Sequence, residues 1–513
     1  MHKRSLLVLL ASTLVAGAAV VTPGVATAEP STASTINWQD CPDPADAGVD
    51  CATIEVPLDW AKPRGEKIHI GLARRKATDP AHRIGSILVD PGGPGGSGVG
   101  MIEFSDPFTP AVNARFDRVG FDPRGINTSS QLLCDVDLSR QSDEAKHPTS
   151  QAEFTELARI NRALHDSCRA NSGPLANHVD NLNTVRDMDA IRAALGERKL
   201  TYLGYSYGSL MGQQYAEVFP NRVRALVMDG NMDHSLTTAW QFVSTETASV
   251  ETAFVEFANW CDTTPTCALY GQDTKAVYAD LKARARAGTL VDPDGAPMDF
   301  YGLAGNTFSV VFPQAWSFVA DFFKLLRDGA GDPAAFSAIS SRLSAFAEVG
   351  EDPYPPIWCS DWNYPVRNYA EYAGLRAGLS HKFPNVEWSP YVDHSMTCVN
   401  SGTKNTNPQR PLRVHGAPPL VMVGNVHDYA TVYPWNVAAA RQSGARLITY
   451  EGWGHTAYGD GGPSQCVNDA VDAYLIDLKP PTRGLRCPST DVPGLATAAA
   501  APSRPIAGPF GRA

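Results

Sequence analysis

Residues 200–208 read Leu200-Thr201-Tyr202-Leu203-Gly204-Tyr205-Ser206-Tyr207-Gly208, and an apolar run with Leu210, Met211 and Tyr215 follows as far as Pro220. The first four residues suit a short strand and the run after Gly208 suits a helix. Gly-x-Ser-x-Gly between a strand and a helix is a nucleophile elbow, a turn sharp enough to leave Ser206 exposed above the sheet edge. The glycines allow the bend because they carry no Cβ. The pentapeptide alone is a weak signal, so its surroundings decide the reading.

Upstream, Ser86-Ile87-Leu88-Val89 is a short buried strand running into Pro91-Gly92-Gly93-Pro94-Gly95-Gly96-Ser97-Gly98, and Arg118-Val119-Gly120-Phe121 is another, ending at Asp122-Pro123-Arg124-Gly125. Earlier still, Ile54, Val56 and Leu58, then Ile68, Ile70 and Leu72, predict two strands around the turn Lys62-Pro63-Arg64-Gly65. Thr184 and Asp187 resemble a capping pair that opens a helix carrying Val185, Met188, Ile191 and Leu195 on one face. Residues 223–228 read as the strand after the elbow helix. Strands alternating with helices predict a doubly wound, mostly parallel α/β sheet. From 234 to 404 the chain turns helix-rich and aromatic, with Trp240, Trp260, Trp316, Trp358 and Trp362; strand patterning resumes at 419–423 and 446–450. The simplest account is a helical cap (234–404) inserted between a first core part (37–233) and a C-terminal core part (405–490), before an Ala/Pro/Gly-rich disordered tail at 491–513.

Residues 1–28 have the layout of a secretory signal peptide: a basic start at His2, Lys3 and Arg4, an apolar run from Leu6 to Val21, and Ala26-Thr27-Ala28 as a small-residue cleavage site. Residues 29–36 then form a loose leader of an exported, extracellular protein. The formal charge of −11 becomes −13 once the cations Lys3 and Arg4 are removed. That acidity argues against nucleic acid or an anionic membrane as partner. All ten cysteines (41, 51, 134, 168, 261, 267, 359, 398, 466 and 487) follow the cleavage site, an even count that reads as disulfides in an exported chain. Joining neighbours in order is one arrangement; spacing does not fix it. No Cys or His spacing calls for a metal, and nothing calls for a cofactor.

A serine hydroxyl needs a base to take its proton, and the base needs a carboxylate to hold its tautomer. Asp428 in Gly424-Asn425-Val426-His427-Asp428 follows one late strand, and His455 in Gly452-Trp453-Gly454-His455 follows the next. The order Ser206, Asp428, His455 is that of an α/β hydrolase. His427 is a rival base and Asp229 a rival acid; Asp122 and Asp187 suit loop caps or arginine partners. The Gly-rich loop fails as a phosphate loop, since no Gly-Lys-Ser/Thr follows. As an oxyanion loop it would supply the Gly93 N–H, with Gly92 as fallback, beside the Tyr207 N–H.

These segments, with His427-Asp428, Gly454-His455, Cys466 and Cys487, resemble the secreted tripeptidyl aminopeptidases and their TAP-like relatives among the prolyl-aminopeptidase-like α/β hydrolases, from about Trp38 to Cys487. The resemblance implies the triad Ser206, Asp428 and His455. It also implies the pairs Cys41–Cys51, Cys134–Cys168, Cys261–Cys267, Cys359–Cys398 and Cys466–Cys487. The expected activity is release of short peptides from free N-termini, with a carboxylesterase on the same triad as the alternative. An aminopeptidase also needs an acid for the substrate ammonium, and Asp361 in Cys359-Ser360-Asp361 falls where the family has one. The acid loop Asp428-Tyr429-Ala430-Thr431-Val432 lacks the proline that the family carries after its threonine, which bears on substrate preference.

Overall fold

The computed structural model describes residues 36–42, 48–292, 295–328 and 354–490. The expected signal peptide, the leader up to residue 35 and the tail from 491 lie outside the described residues. Ten strands occur in chain order: β1 (Gln39–Asp40), β2 (Val49–Pro57), β3 (Lys67–Arg75), β4 (Gly85–Asp90), β5 (Phe116–Phe121), β6 (Leu200–Tyr205), β7 (Val223–Asp229), β8 (Val421–His427), β9 (Arg446–Trp453) and β10 (Arg486–Cys487). They form one sheet in the order β1-β2-β3-β5-β4-β6-β7-β8-β9-β10. β2 and β3 are the expected hairpin, with Val56 opposite Ile68. β3 joins β5 antiparallel, and every pair from β5 to β10 is parallel.

The central strands β4, β5 and β6 are buried at every position, because parallel strands take cover on both faces. Their pleat divides the core in two. Leu88, Tyr202, Leu226 and Met422 join one apolar layer, while Ile87, Val89, Leu203, Val227 and Val423 join the other. β4 lies between β5 on one side and β6 on the other: the chain runs from β4 outward to β5 and then crosses back past β4 to β6. That reversal opens a crevice at the carboxyl ends of the strands. The Gly-rich loop after β4 and Ser206 after β6 both emerge there.

One helix begins earlier than its pattern suggested. Asn181–Ala194 starts at the cap Asp180, whose side chain accepts from the Asn183 N–H. Thr184 and Asp187 lie inside it, because Asp187 has another task. It receives the Arg124 fork through Nε and Nη2, both at 2.7 Å, and Trp60 Nε1 at 2.9 Å.

Between β7 and β8 the described residues form helices, the longest being Ala239–Thr263, which buries Phe242, Val250, Phe254 and Phe257. Apart from one isolated bridge, Val291 with Pro297, no strand pairing occurs there among the described residues. The segment also rests on helix Gln151–Ser172, where Asn161 Nδ2 donates to the Met396 and Val399 carbonyls at 3.0 and 3.1 Å. All ten cysteines are bonded, in the five pairs that the resemblance implies. Among the described residues no helix is long and apolar enough to cross a membrane.

Candidate active site

Ser206 itself makes the turn, with φ 53° and ψ −121°. The left-handed region costs a non-glycine residue about 1–3 kcal/mol, so the surroundings must impose it. They do so through hydrogen bonds: Ser206 N–H to the Asp229 carbonyl at 2.9 Å, Ser209 N–H to the Ser206 carbonyl at 2.9 Å, and Tyr202 OH to the Gly208 carbonyl at 2.9 Å. The elbow glycines serve close approach rather than the bend, since a Cβ on Gly204 would lie 2.3 Å from the Gly208 oxygen. Ser206 is also not exposed as its position suggested; it is 2 % accessible. The Gly-rich loop lies against it, a Cβ on Gly92 falling 3.0 Å from the Ser206 Cβ. The Ser206 hydroxyl does not cap the helix that follows.

Asp428 and His455 meet at the ends of β8 and β9. His455 Nδ1 lies 3.0 Å from both carboxylate oxygens of Asp428. Asp428 is wholly buried and also accepts from the Ala430 and Thr431 N–H groups at 2.8 and 2.9 Å and from Thr431 Oγ1 at 2.9 Å. These donors fix the carboxylate, which in turn fixes the imidazole with Nδ1 toward it and Nε2 away. His455 Nε2 is buried and has no hydrogen-bond partner among the described residues. Burial pulls the His455 pKa down, but the Asp428 carboxylate outweighs it, with Asp229 adding to the pull, and the net shift is upward.

The two rivals have other work. Asp229 Oδ2 accepts from the Ala457 and Tyr458 N–H groups at 2.8 and 2.7 Å, so it holds the loop after His455. Burial lifts its pKa to about 6, against the pull of those two amides. His427 stacks on Trp453, its partner across β8 and β9, with ring centroids 4.1 Å apart.

At the oxyanion loop, the Gly92 N–H donates to Asp90 Oδ1 at 2.8 Å, which removes the fallback donor. Gly92 has φ 93°, and a Cβ there would sit 2.5 Å from the Tyr205 oxygen and 2.7 Å from the Tyr207 nitrogen. Only glycine lets the loop pass this close to the elbow. No protein group among the described residues accepts from the Gly93 or Tyr207 N–H.

Asp361 is fully buried beneath Tyr207. Its Oδ1 accepts from the Asn181 N–H at 3.0 Å and Asn407 Nδ2 at 2.7 Å; its Oδ2 accepts from the Tyr207 hydroxyl and, at 3.2 Å, the same Asn181 N–H. Three donors thus hold the carboxylate, the Asn181 N–H being shared between its two oxygens. Burial, helped by nearby Asp180, lifts its pKa to about 7.

Residue patterns did not single out four further buried residues. Thr431 Oγ1 reaches Asp428 and lies 3.4 Å from His455 Nδ1; Asn425 Nδ2 braces the Gly454 and Thr456 carbonyls at 2.8 Å each. Asp90 holds the oxyanion loop. The fourth is Glu246 on helix Ala239–Thr263. It is wholly buried, and among the described residues neither carboxylate oxygen has a hydrogen-bond partner. Burial pushes its pKa well up; the Ser389 hydroxyl and Tyr391 N–H pull it down without completing a bond. The Asp-x-x-Thr spacing could have flagged Thr431 as an Asx-type turn; Glu246 carries no such sequence signal.

A strained elbow serine, a carboxylate-held histidine and two unclaimed backbone N–H groups beside the serine are the parts of a serine hydrolase. The chain belongs to the alpha/beta hydrolase fold family, whose match spans residues 85–461. It is 31 % identical to a tripeptidyl aminopeptidase of Streptomyces lividans, over 88 % of this chain and 86 % of that one. It is 30 % identical to the serine protease Hip1 of Mycobacterium tuberculosis, over 90 % of this chain and 92 % of the relative. A Mycobacterium tuberculosis protein named carboxylesterase B is 32 % identical over 85 % of this chain and 86 % of its own length.

Proposed function

We propose that this chain is an exported serine exopeptidase that releases short peptides, tripeptides foremost, from free N-termini. Ser206 Oγ attacks the scissile carbonyl carbon as its proton passes to His455 Nε2. The Gly93 and Tyr207 N–H groups receive the oxyanion, each contributing about 3 kcal/mol. Collapse expels the amine, which takes the proton from His455, and leaves an acyl-enzyme. Water, deprotonated by the same histidine, then frees the peptide acid and restores Ser206.

The observation that carries the exopeptidase reading is Glu246. A free N-terminus brings an ammonium, and a buried carboxylate without partners is costly unless a cation meets it. Asp361 was the residue expected from the sequence, but its carboxylate is already held by Asn181, Asn407 and Tyr207. Glu246 sits one helical turn before Ser249, whose hydroxyl donates to the Asp428 carbonyl at 2.9 Å, so its helix borders the triad. Residues 234–404 act here as the cap that closes one end of the cleft and limits the length released. The five disulfides support an oxidising compartment, with residues 1–28 as the export signal. The esterase reading is favoured by the similarity to carboxylesterase B.

The test is turnover of a tripeptide anilide, with a free and with an acetylated N-terminus, beside a short-chain nitrophenyl ester, by wild type and Ser206→Ala. The expected result is turnover confined to the free-amine peptide and lost in Ser206→Ala. Turnover of the ester with both peptides untouched replaces the peptidase with the esterase.

A further inference from the structure

Tyr207 serves the site twice. Its main-chain N–H faces the Gly-rich loop as an oxyanion donor, while its phenol runs the other way and ends on Asp361. Asp361 ends helix Tyr354–Asp361 in the helical segment, whereas Tyr207 opens the elbow helix of the sheet core. The contact is thus a buried joint between the two parts of the chain, and it bears on the residue whose amide stabilises charge.

The joint is built from every side. The Asn181 N–H belongs to the first turn of a sheet-side helix, and Asn407 to the segment returning toward β8. Gln214, on the elbow helix, ties those two residues together: it accepts from Asn181 Nδ2 at 2.7 Å and Asn407 Nδ2 at 3.1 Å, and donates to Asn407 Oδ1 at 3.0 Å. The main chain is held as well. His234 Nε2 donates to the Asp361 carbonyl at 2.8 Å, and the Thr406 and Asn407 N–H groups both donate to the Ser360 carbonyl at 3.0 Å. The neighbouring Cys359–Cys398 bridge fixes the helix that carries Asp361. Asp361, Asn181, Gln214, Asn407 and Tyr207 are each at most 2 % exposed, so none can drift and find water instead.

We propose that Asp361 is a positioning residue: by anchoring the Tyr207 phenol it holds the Tyr207 amide on the oxyanion, so that seating the helical segment completes the oxyanion hole. The claim rests on the serine-hydrolase reading. It differs from an ammonium role in where the effect falls. Ammonium binding strengthens substrate and transition state alike, whereas an oxyanion donor acts on the charged intermediate. A donor displaced by even part of an ångström loses much of its value, because the preorganised geometry supplies the stabilisation.

The experiment compares Tyr207→Phe and Asp361→Asn with wild type and Ser206→Ala. Three readouts are taken: kcat on the preferred chromogenic substrate, affinity for a tripeptide aldehyde, and inhibition by the product tripeptide. The aldehyde carbon bonds to Ser206 Oγ, the hydroxyl proton passes to His455, and the new oxyanion sits in the hole. Product binding forms no bond to Ser206 Oγ and no tetrahedral oxyanion; the peptide acid brings only its own planar carboxylate. In both variants kcat and aldehyde affinity should fall together, roughly 10- to 100-fold, with product inhibition within about twofold of wild type. Tyr207→Phe keeps the ring, so it reports even if Asp361→Asn folds poorly. Wild-type kcat and aldehyde affinity in a folded Tyr207→Phe, with only a lowered Tm, overturns the proposal in favour of a purely structural joint. Equal weakening of aldehyde and product also overturns it and returns Asp361 to substrate binding. Activity persisting in Ser206→Ala removes the hydrolase reading and this inference together. An inactive Ser206→Ala beside an unimpaired Tyr207→Phe removes the inference alone.

Discussion

The sheet and the helical segment treat buried polar groups differently. Around the crevice, each buried side chain with an unpaired atom keeps another atom bonded. Asp90 holds the Gly92 N–H, Asp229 holds two amides, Asn425 holds two carbonyls and His455 holds Asp428. In the helical segment Glu246, Trp358 and Trp362 are buried with no side-chain hydrogen bond at all. Buried polar groups ordinarily find partners, so the contrast carries information. The sheet side is a finished device, rigid before substrate arrives, as preorganised catalysis requires. The helical side retains buried donors and acceptors with no partner among the described residues. On the proposed function, chemistry and selection reside in different parts of the chain, and substitutions should separate them.

The largest effect is expected on the finished side. Asp428→Asn keeps the shape of the acid but unsettles the His455 tautomer, and kcat should fall by roughly 10⁴-fold for every substrate. The same carboxylate raises the His455 pKa, and the base works only when neutral. The acid limb of kcat/KM in wild type should therefore lie above the ordinary imidazole value and move to lower pH in the variant. Gly92→Ala comes next, since the new Cβ meets the Tyr205 oxygen and Tyr207 nitrogen. Displacing the oxyanion loop should lower kcat by roughly 10²- to 10³-fold, again for peptide and ester alike.

On the selecting side, Glu246→Gln should raise KM for the free-amine peptide by roughly 10- to 100-fold and so increase ester-to-peptide preference by at least about tenfold. Equal losses on both substrates would erase the proposed division. The pH dependence has a definite sign. Burial keeps Glu246 neutral well above the usual carboxyl range, and ammonium binding needs it ionised. Affinity for the free-amine peptide should therefore improve as pH rises, until the substrate amine itself deprotonates near roughly pH 8, and Gln should abolish the rise. In the unliganded protein the same raised pKa stabilises the fold fully below the ordinary carboxyl value. That contribution is lost as pH climbs to the raised value, so the Tm advantage of Glu246→Gln should grow toward alkaline pH. The smallest effect sharpens the border between the two parts. Ser249→Ala deletes the bond to the Asp428 carbonyl and should cost about 1 kcal/mol in denaturant unfolding, with kcat changed only a few-fold.

How much of this was legible follows the same border. Strands such as Ser86–Val89 and Arg118–Phe121 announce themselves because burial on both faces demands continuous apolar residues, and the motif loops at their ends are short-range patterns. Asp428 and His455 were readable because each follows such a strand. The cap at Thr184 that the pattern predicts falls four residues after the true cap, Asp180, since Thr184 and Asp187 mimic a capping pair when the long-range claim of Arg124 on Asp187 is invisible. Asp361 reads from the sequence as an ammonium acid, and nothing local reveals that Asn181, Asn407 and Tyr207, each distant in sequence, converge on it. Glu246, the proposed ammonium acid, gives no signal for the complementary reason. A helical glutamate reads as solvent-facing until packing encloses it.

The order of the site residues also sets a schedule. Ser206 precedes His455 by about 250 residues, and the Cys466–Cys487 bridge closes later still. At roughly 5–20 residues per second, synthesis exposes the proposed nucleophile some tens of seconds before its proposed base exists. A hydrolase assembled in this sequence is chemically silent throughout its own birth, and a chain cut short before β9 stays silent.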